Sequence, residues 1–575
     1  MLRVSDIVKD YETGSGNLRV LDGVSFEVAD GEILGITGKS GSGKTTLLKI
    51  LRGVEPFNGG SIELDGSLIT SDSGIDGSKI LGRGTAIHLQ RNFGLWNGPA
   101  IENIIRRLNS HYTGYEALPE PDAPNYDELY ERSMAYMRLV GLEKKALHSS
   151  NLLSGGEKQR LIVARQLAAQ PRLLLLDEPV TMTGPDTKQE VMDVILKLKD
   201  RLNIPIIVVS HLPEVHAYLA DRVIYIEDAK VVEDGEPRVV LKNFLKDLNP
   251  RVDLTELKEK VPCIRATNIS KRLVLMRVGE VLNIKDQSLE INKGEIISFI
   301  GSSGAGKTTF LKIMEGLTIP KEGYVTFHHE GEWVDMSNFT KQRLELWRKI
   351  SIMHQEFSLS PHSTIRQQIG FRLSMKMHGA IEHARKKAEE MDISYEMLDI
   401  IYKLPDMGED ERSRALNQMR LSMDIFPQLF PSVLSTDVDK YAIPIFEALD
   451  LPLDILDKKP DQISGGEHVR AYIALALSTS PEILMLDEPF GDLDPVTLRD
   501  VTNSLKRINA TFGTTIVLVS HHMDFVKEVA HRAVLFDNGS IIMDGDARDV
   551  CQKFIEMSDA RYLEHTLEEI AESVN

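Results

Sequence analysis

Short apolar runs of four or five residues recur along the chain, at 33–36, 173–176, 296–300, 483–486 and 516–519. Runs of this length predict strands buried on both faces, as in parallel sheets that are covered by helices. The residues that follow the first and third runs have helical spacing, with a Gly-rich stretch between strand and helix. We therefore predict an α/β protein.

The chain contains an internal duplication. Residues 31–50 recur at 294–313, and Ser-Gly-Gly-Glu, Leu-Asp-Glu-Pro and Val-Ser-His then follow in the same order in both halves. The pairs lie at 154–157 and 464–467, 176–179 and 486–489, and 209–211 and 519–521. Repeats in a fixed order predict two homologous domains. We place them at 1–235 and 262–550, joined by a segment at 236–261.

The second half carries about 45 extra residues, within 371–460. The pattern there predicts helices at 381–391, 395–404 and 411–423, broken by Pro405, Pro427 and Pro431. This insertion is the expected partner surface. Its methionines can form an adaptable contact face or fill a small helical core, and they are Met375, Met377, Met391, Met397, Met407, Met419 and Met423. An acidic helix is predicted at 551–575.

Composition excludes several kinds of protein. With 67 Lys and Arg against 86 Asp and Glu, the net charge is −19, which disfavours a nucleic acid partner because phosphate binding rests on cations. Two cysteines cannot build a disulfide framework, an iron–sulfur cluster or a zinc knuckle. No apolar run approaches the ~18 residues that cross a bilayer. We expect a cytoplasmic protein, whose membrane spans, if any are needed, come from other subunits.

Two segments fit the phosphate-binding pattern G-x-x-x-x-G-K-[ST]. Glycines in such a loop let backbone N–H groups surround phosphate oxygens at a helix N-terminus. The lysine reaches the β- and γ-phosphates, and the following threonine can hold Mg²⁺. The candidate residues are Gly38, Lys39, Ser40, Gly41, Ser42, Gly43, Lys44, Thr45 and Thr46, with Gly301, Ser302, Ser303, Gly304, Ala305, Gly306, Lys307, Thr308 and Thr309.

A carboxylate pair follows an apolar run in each half. Asp177 and Asp487 are placed to hold Mg²⁺, since the end of a buried parallel strand faces the ligand crevice. Glu178 and Glu488 are placed either to orient the attacking water or to deprotonate it.

Phosphate loop, Ser-Gly-Gly-Glu, Asp-Glu-Pro and Ser-His, in that order, resemble the ATP-binding cassette (ABC) ATPases over nearly the whole chain. The resemblance implies two cassettes in tandem, each with a RecA-like core and a helical subdomain, with ATP and Mg²⁺ as cofactors. It implies that Gln90 and Gln355 sense Mg²⁺ and the γ-phosphate, and that His211 and His521 are the switch histidines. It assigns γ-phosphate contacts from the opposite half to the signature residues Ser154, Gly155, Gly156, Glu157, Ser464, Gly465, Gly466 and Glu467.

In this family two cassettes trap two ATP molecules between them, so each site is expected to combine one phosphate loop with the other half's signature. The two sites differ in sequence. Half two keeps Asp494 in the family's cross-dimer loop, whereas Gly184 stands there in half one. Tyr11 fits the aromatic residue that stacks on adenine, whereas Leu273 stands there in half two. We expect the Lys44 site to turn over faster.

Three roles for the ATPase remain open: a soluble motor that remodels a partner complex, the ATP-hydrolysing subunit of a membrane transporter, and a ribosome-associated factor. The last is weakest, because the joining segment is short and the chain acidic. The run Leu51-Arg-Gly-Val-Glu55 after the first loop resembles the ATP-dependent activation component of the methyl-coenzyme M reductase system of methanogenic archaea. That resemblance implies a soluble protein whose partners are the reductase and its activation proteins.

Overall fold

The computed structural model describes the chain except for 14–15, 40, 89–93, 181–183, 258, 276–278, 339, 355–358, 377–378, 405–408, 431–434, 491–492, 559 and 565–575. It has two compact units. The first comprises Met1–Leu248, Asp494–Val496 and Ser558–Asn575, and the second comprises Asn249–Leu493 and Thr497–Met557. The domain boundaries proposed from the sequence stay predictions.

The first unit contains two sheets and the helices that pack on them. Its elements are β1 (Leu2–Thr13), β2 (Gly16–Val28), β3 (Ile33–Thr37), α1 (Lys44–Leu51), β4 (Gly59–Leu64), β5 (Ser67–Thr70), α2 (Gly74–Gly84), β6 (Thr85–His88), α3 (Ala100–Thr113), α4 (Tyr126–Leu139), α5 (Gly155–Leu167), β7 (Leu173–Asp177), α6 (Pro185–Leu202), β8 (Ile206–Val209), α7 (Pro213–Leu219), β9 (Arg222–Glu227), β10 (Lys230–Gly235) and α8 (Pro237–Phe244).

The second unit repeats this order and adds helices. Its elements are β11 (Pro262–Leu275), β12 (Gly279–Asn292), β13 (Ile296–Gly301), α9 (Lys307–Met314), β14 (Glu322–His329), β15 (Glu332–Asp335), α10 (Lys341–Leu346), β16 (Ile350–Met353), α11 (Ile365–Lys376), α12 (Ala380–Glu390), α13 (Tyr395–Lys403), α14 (Glu409–Met419), α15 (Ile425–Leu429), α16 (Ser435–Ala448), α17 (Gly465–Leu477), β17 (Ile483–Asp487), α18 (Pro495–Phe512), β18 (Thr515–Val519), α19 (Met523–Val529), β19 (Arg532–Asp537), β20 (Ser540–Asp546) and α20 (Ala547–Ser558).

Each unit pairs a four-stranded antiparallel sheet with a six-stranded, mostly parallel one. The larger sheets have the orders β10-β9-β3-β8-β7-β6 and β16-β17-β18-β13-β19-β20. In the first, Asp177 lies opposite Val209, and in the second, Asp487 lies opposite Val519. The strands that precede the phosphate loops, the carboxylates and the histidines therefore end at one edge of each sheet, which confirms the predicted α/β class.

Helices of the insertion pack into the core of the second unit. Tyr402 and Phe426 belong to the same buried cluster as Phe299 and Phe310 next to the second phosphate loop. Helices α12, α13 and α14 match the three predicted helices within a few residues. The prediction that Pro427 breaks a helix is wrong, since it lies inside α15. It stands in the first turn, where the missing N–H removes no helical hydrogen bond. Pro405 and Pro431 lie outside the described residues.

The segments at the ends of the two halves are anchored. Within the segment proposed as a join, Val240, Leu241 and Phe244 of α8 pack on the first unit. The predicted helix at 551–575 overlaps α20, whose Cys551 is buried. Tyr562 is also buried, and its backbone N–H donates to Gln189 Oε1 at 3.0 Å. No described helix is both long and apolar enough to span a membrane.

Candidate functional site

The first phosphate loop joins β3 to α1 through glycines with positive φ angles: 149° at Gly38, 83° at Gly41 and 96° at Gly43. A Cβ atom at Gly38 would lie 2.3 Å from the Ile226 carbonyl oxygen, whereas one at Gly41 would meet nothing within 4 Å. Because side chains rarely adopt these angles, glycine is required along the loop. The open side at Gly41 leaves its backbone accessible. Ser40 lies outside the described residues.

Lys44 begins α1 and folds back over this loop. Its Nζ donates to the Gly38 and Lys39 carbonyls at 2.6 and 2.8 Å. Burial lowers the pKa of Lys44, although Glu178 and Asp177 oppose this shift. The ammonium is therefore held in the loop close to two carboxylates.

The second loop, between β13 and α9, repeats this geometry. Gly301, Gly304 and Gly306 have φ angles of 141°, 80° and 105°. Lys307 Nζ donates to the Gly301 and Ser302 carbonyls, both at 2.9 Å. Burial lowers the pKa of Lys307 to about 8, against the opposing carboxylates of Glu488 and Asp487.

The two aspartates that follow the buried strands are themselves buried. Burial and the neighbouring Glu178 raise the pKa of Asp177 to about 6, while Lys44 opposes the shift. Burial also raises the pKa of Asp487, which accepts a hydrogen bond from the Thr308 hydroxyl at 3.0 Å. A desolvated carboxylate favours a cation or a proton beside it, so both positions suit a divalent ion.

Glu178 and His211 form a buried pair. Glu178 Oε1 lies 2.7 Å from His211 Nδ1 and accepts the His211 backbone N–H at 2.9 Å, while Oε2 accepts the Ser210 hydroxyl at 3.1 Å. Burial alone would raise the pKa of Glu178, but His211, Ser210 and Lys44 lower it. The glutamate has a φ angle of +50°, a strained conformation that aims its side chain away from the strand direction.

The second unit places Glu488 and His521 in the same way, with one difference. Glu488 has a φ angle of +49°, and its Oε1 lies 2.7 Å from His521 Nε2 rather than Nδ1. The two histidines therefore turn different ring nitrogens toward their glutamates.

The signature residues stand at the N-termini of α5 and α17. The Ser154 hydroxyl accepts the Glu157 backbone N–H at 3.3 Å, and Glu157 accepts the Ser154 N–H at 2.9 Å, which is a capping box. Ser464 and Glu467 repeat it. A Cβ atom at Gly156 would lie 1.9 Å from Thr187 Cγ2. The motif thus has a local structural role whatever else it contacts.

Several predicted features have only partial structural descriptions. Gln90 and Gln355 lie outside the described residues, as do 181–183 and 491–492 of the loops after Asp-Glu-Pro. Tyr11 is half-buried on β1, with Lys9 Nζ 4.6 Å from its ring centroid, whereas Leu273 is 38% exposed.

Sequence reasoning missed two buried histidines near the first site. His216 Nε2 is 2.8 Å from the Ser210 carbonyl, and burial lowers its pKa to about 4. A Cβ atom at Gly35 would lie 2.5 Å from His216 Nδ1. His88 hydrogen-bonds to Gln159 of α5. Neither histidine recurs in the second half, where Val526 replaces His216 and Met353 replaces His88. This difference between the repeats could have identified both histidines from the sequence.

The described residues fit the predicted ligands. Glycine backbone and lysine ammonium suit phosphate oxygens, and hydroxyl and carboxylate oxygens are the ligands that Mg²⁺ prefers. Thr45 and Asp177 in the first unit, and Thr308 and Asp487 in the second, supply this donor set. The roles of individual residues stay predictions.

Comparison with known proteins identifies the family. A family model described as ABC transporter matches residues 21–181 and 284–491. An "uncharacterized ABC transporter ATP-binding protein" of Methanocaldococcus jannaschii is 45% identical over 571 residues, covering 98% of this chain and 99% of the relative. A second such protein from that organism is 30% identical over 583 residues, covering 96% of each chain.

A solved structure titled RNase-L Inhibitor resembles the fold, with a TM-score of 0.58 at 18% identity, and the match covers 96% of this chain and 93% of that one. A complex of archaeal ribosomal stalk protein aP1 with ribosome recycling factor aABCE1 gives 0.57 at 18% identity, covering 96% and 92%. Since the family model matches both halves and the sequence relatives span the whole length, this chain belongs to the ABC transporter family as a tandem-cassette ATPase, an ATP-hydrolysing enzyme.

Proposed function

We propose that this tandem ATPase uses ATP to remodel a protein partner complex, and that the process it drives is the reductive activation of methyl-coenzyme M reductase. The observation that supports the proposal is the full-length match to a protein of Methanocaldococcus jannaschii: 99% of the relative is covered, so the enlarged second half belongs to the shared architecture. The Leu51–Glu55 resemblance points the same way.

The Leu51–Glu55 run has a definite place in the fold. Arg52 donates to the Gly82 carbonyl and to Thr85 Oγ1, and Glu55 pairs with the buried Lys9 at 2.5 Å. These contacts tie the end of α1 to three neighbouring elements, α2, β6 and β1. Within the described residues the run thus has a packing role in the first unit, and its support for the proposal rests on the sequence resemblance.

In the proposed reaction Lys44 and Lys307 contact the β- and γ-phosphates, and Mg²⁺ supplies neutralisation of the phosphate charge. Glu178 and Glu488 face the attacking water. Glu178, held by His211 and Ser210, either orients this water or removes its proton. The pairing of each loop with the opposite signature stays a prediction.

The insertion is the proposed partner surface. Met375 is buried in the core, whereas Met391 and Met423 are 38% and 47% exposed, and Tyr395 is 41% exposed. The methionines thus divide between core and surface, and Met377 and Met407 lie outside the described residues. Because the insertion shares its core with Phe299, deleting it would unfold the cassette, and surface substitutions are the better test.

The first experiment captures partners with the full-length Glu178→Gln, Glu488→Gln double variant in ATP. We expect reductase subunits and redox proteins, with capture reduced by Met391→Glu with Tyr395→Glu. The matched control is Leu68→Glu with Ile75→Glu, two residues that are 65% and 74% exposed in the first unit. Equal loss in the control would remove the insertion from the proposal.

A second candidate is the ATP-hydrolysing subunit of a transporter, which the names of the relatives favour. Capture of integral membrane proteins would support it against the reductase. Ribosome capture would support the ribosomal role. The direct assay is activation of purified reductase with ATP, a reductant and the remaining activation proteins. Activation that proceeds unchanged with the double-Gln variant would refute the proposal.

A further inference from the structure

A cavity of about 590 Å³ lies between α4, α5 and α6 of the first unit. Four cations line it: Arg138, Arg160, Lys197 and Arg201. Its lining includes none of the phosphate-loop or carboxylate residues described above. Its volume falls within the range of small-molecule sites.

The two carboxylates that line the cavity already have partners. Glu190 Oε2 accepts from Arg160 Nη1 at 2.6 Å. Asp193 accepts from Arg561 Nη2 at 2.8 Å and from the Tyr218 hydroxyl at 2.9 Å. The oxygens of Asp193 therefore already accept hydrogen bonds and have little capacity left to pair with another cation.

The remaining cations are left in excess. Among the described residues no ion pair is found for Arg138, Lys197 or Arg201, whose side chains are exposed, and Arg138 Nε donates to the Met134 carbonyl at 3.4 Å. The buried Nε of Arg160 has no hydrogen-bond acceptor. The three exposed cations are hydrated, so the buried Nε of Arg160 is the costly group, and an anion in the cavity would satisfy it beside three like charges. The chain carries a net charge of −19, so this concentration of positive charge is not a general property of its surface.

The floor of the cavity is apolar. Val140 and Val194 are buried and Leu139 is half-buried beneath the cations. Apolar walls lower the local dielectric and strengthen charge-assisted hydrogen bonds from the rim. They also accept the uncharged part of a ligand.

The second unit lacks this arrangement. In the repeat, Glu447 stands at the position of Arg138 and Thr511 at that of Arg201. Arg470, the counterpart of Arg160, donates to the Leu449 and Asp450 carbonyls at 3.3 and 3.1 Å. Arg507 stands at the position of Lys197, so two of the four cations recur and the full set of four occurs in the first half, as expected of a separate site.

We propose that this cavity binds a small, multiply charged phosphate compound of nucleotide size, at a site distinct from the two phosphate loops. A long nucleic acid is disfavoured, because the chain as a whole carries a net charge of −19, which repels an extended polyanion. The proposal goes beyond the proposed function and does not depend on which partner the ATPase drives.

The test uses inorganic tripolyphosphate as the probe and calorimetry as the readout. The full chain carries Lys44→Ala and Lys307→Ala, which weaken binding at the phosphate loops. We expect one remaining site, weakened about tenfold for each cation reversed in Arg138→Glu and Arg201→Glu. The neutral Arg138→Gln, Arg201→Gln variant should weaken binding less, and it guards against a folding defect.

The matched control reverses two exposed cations of the second unit, Lys321→Glu and Lys386→Glu, and should leave the affinity unchanged. Absence of the remaining site, or equal weakening in the control, would overturn the proposal. A single-stranded RNA decamer is the competing probe. If it binds more tightly than tripolyphosphate and loses affinity in the Arg138→Glu, Arg201→Glu variant, the site belongs to nucleic acid and the small-ligand proposal is wrong.

Discussion

Replacing Asp177 with Asn should stabilise the nucleotide-free protein while weakening its response to Mg-ATP. The carboxylate is 5% exposed, and burial with the adjacent Glu178 raises its pKa from 3.8 to about 6. A raised pKa means that the ionised form costs free energy in the folded state. At 1.36 kcal/mol per pKa unit, the cost is about 3 kcal/mol as a ceiling.

The sign of the pH dependence follows from linkage. Between pH 3.8 and about 6 the folded state binds more protons at Asp177 than the unfolded state does, so its stability falls as the pH rises. The penalty is fully present above about pH 6. At pH 8 we therefore expect Asp177→Asn to raise the Tm of the first unit by about 5 °C.

The assay is differential scanning calorimetry of the full chain at pH 8, without nucleotide and then with Mg-ATP. Asp487→Asn is the matched control, and its gain should be smaller because the Thr308 hydroxyl donates to the ionised Asp487 carboxylate and would donate more weakly to a neutral amide oxygen. Mg-ATP should raise the Tm of wild type more than that of Asp177→Asn, because the aspartate is predicted to hold the ion. If the Tm of Asp177→Asn without nucleotide is at or below that of wild type, the inference that the ionised Asp177 carboxylate destabilises the first unit is refuted.

Three further predictions concern turnover and stability. Glu178→Gln should lower ATP turnover by about 10²–10⁴-fold, more than Glu488→Gln, measured by steady-state phosphate release. Asp399→Ala should destabilise the second unit by about 3–5 kcal/mol in denaturant unfolding, because it leaves Arg343 and other cations buried beside α13. Gly156→Ala should cost about 1–3 kcal/mol, since its Cβ would overlap Thr187.

Each of these has an internal comparison. If Glu488→Gln stops turnover and Glu178→Gln spares it, the assignment of the faster site is reversed. Glu382→Gln is the control for Asp399, because its pair with Lys341 is exposed and such pairs contribute about 1 kcal/mol or less. Gly466→Ala should cost less than Gly156→Ala, since its Cβ would lie 3.4 Å from Thr497. If the two substitutions lower the free energy of unfolding equally, the structure around Gly156 relaxes to remove the overlap with Thr187.

Much of the site was accessible from the sequence because its chemistry is local. A phosphate loop needs glycines and a lysine at fixed spacing along one turn, so the pattern around Lys44 and Lys307 identifies it without tertiary information. The alternating strands and helices likewise predicted the α/β class. The capping box was also local, although the Ser-Gly-Gly-Glu signature was first interpreted by family resemblance alone.

Other features depend on segments that are distant along the chain. The pKa shift of Asp177 needs the burial that β8 and α1 provide, and the Glu178–His211 pair joins residues that follow two different strands, β7 and β8. The neutral His216 and the charge excess of the basic cavity also arise only when separate helices and strands converge. Pro427 is a case in which a local rule gave the wrong prediction. Proline breaks a helix in its interior but is compatible with the first turn, where Pro427 lies in α15.

The amino-acid sequence by itself determined the duplication, the fold class and the two phosphate loops, because each rests on spacing along a continuous segment. Only the tertiary structure decided which carboxylates lose their solvent, how the insertion shares the core of the second unit, and where unpaired cations gather around one cavity. Desolvation and charge balance depend on every neighbour in space, and no single segment of the chain contains that information.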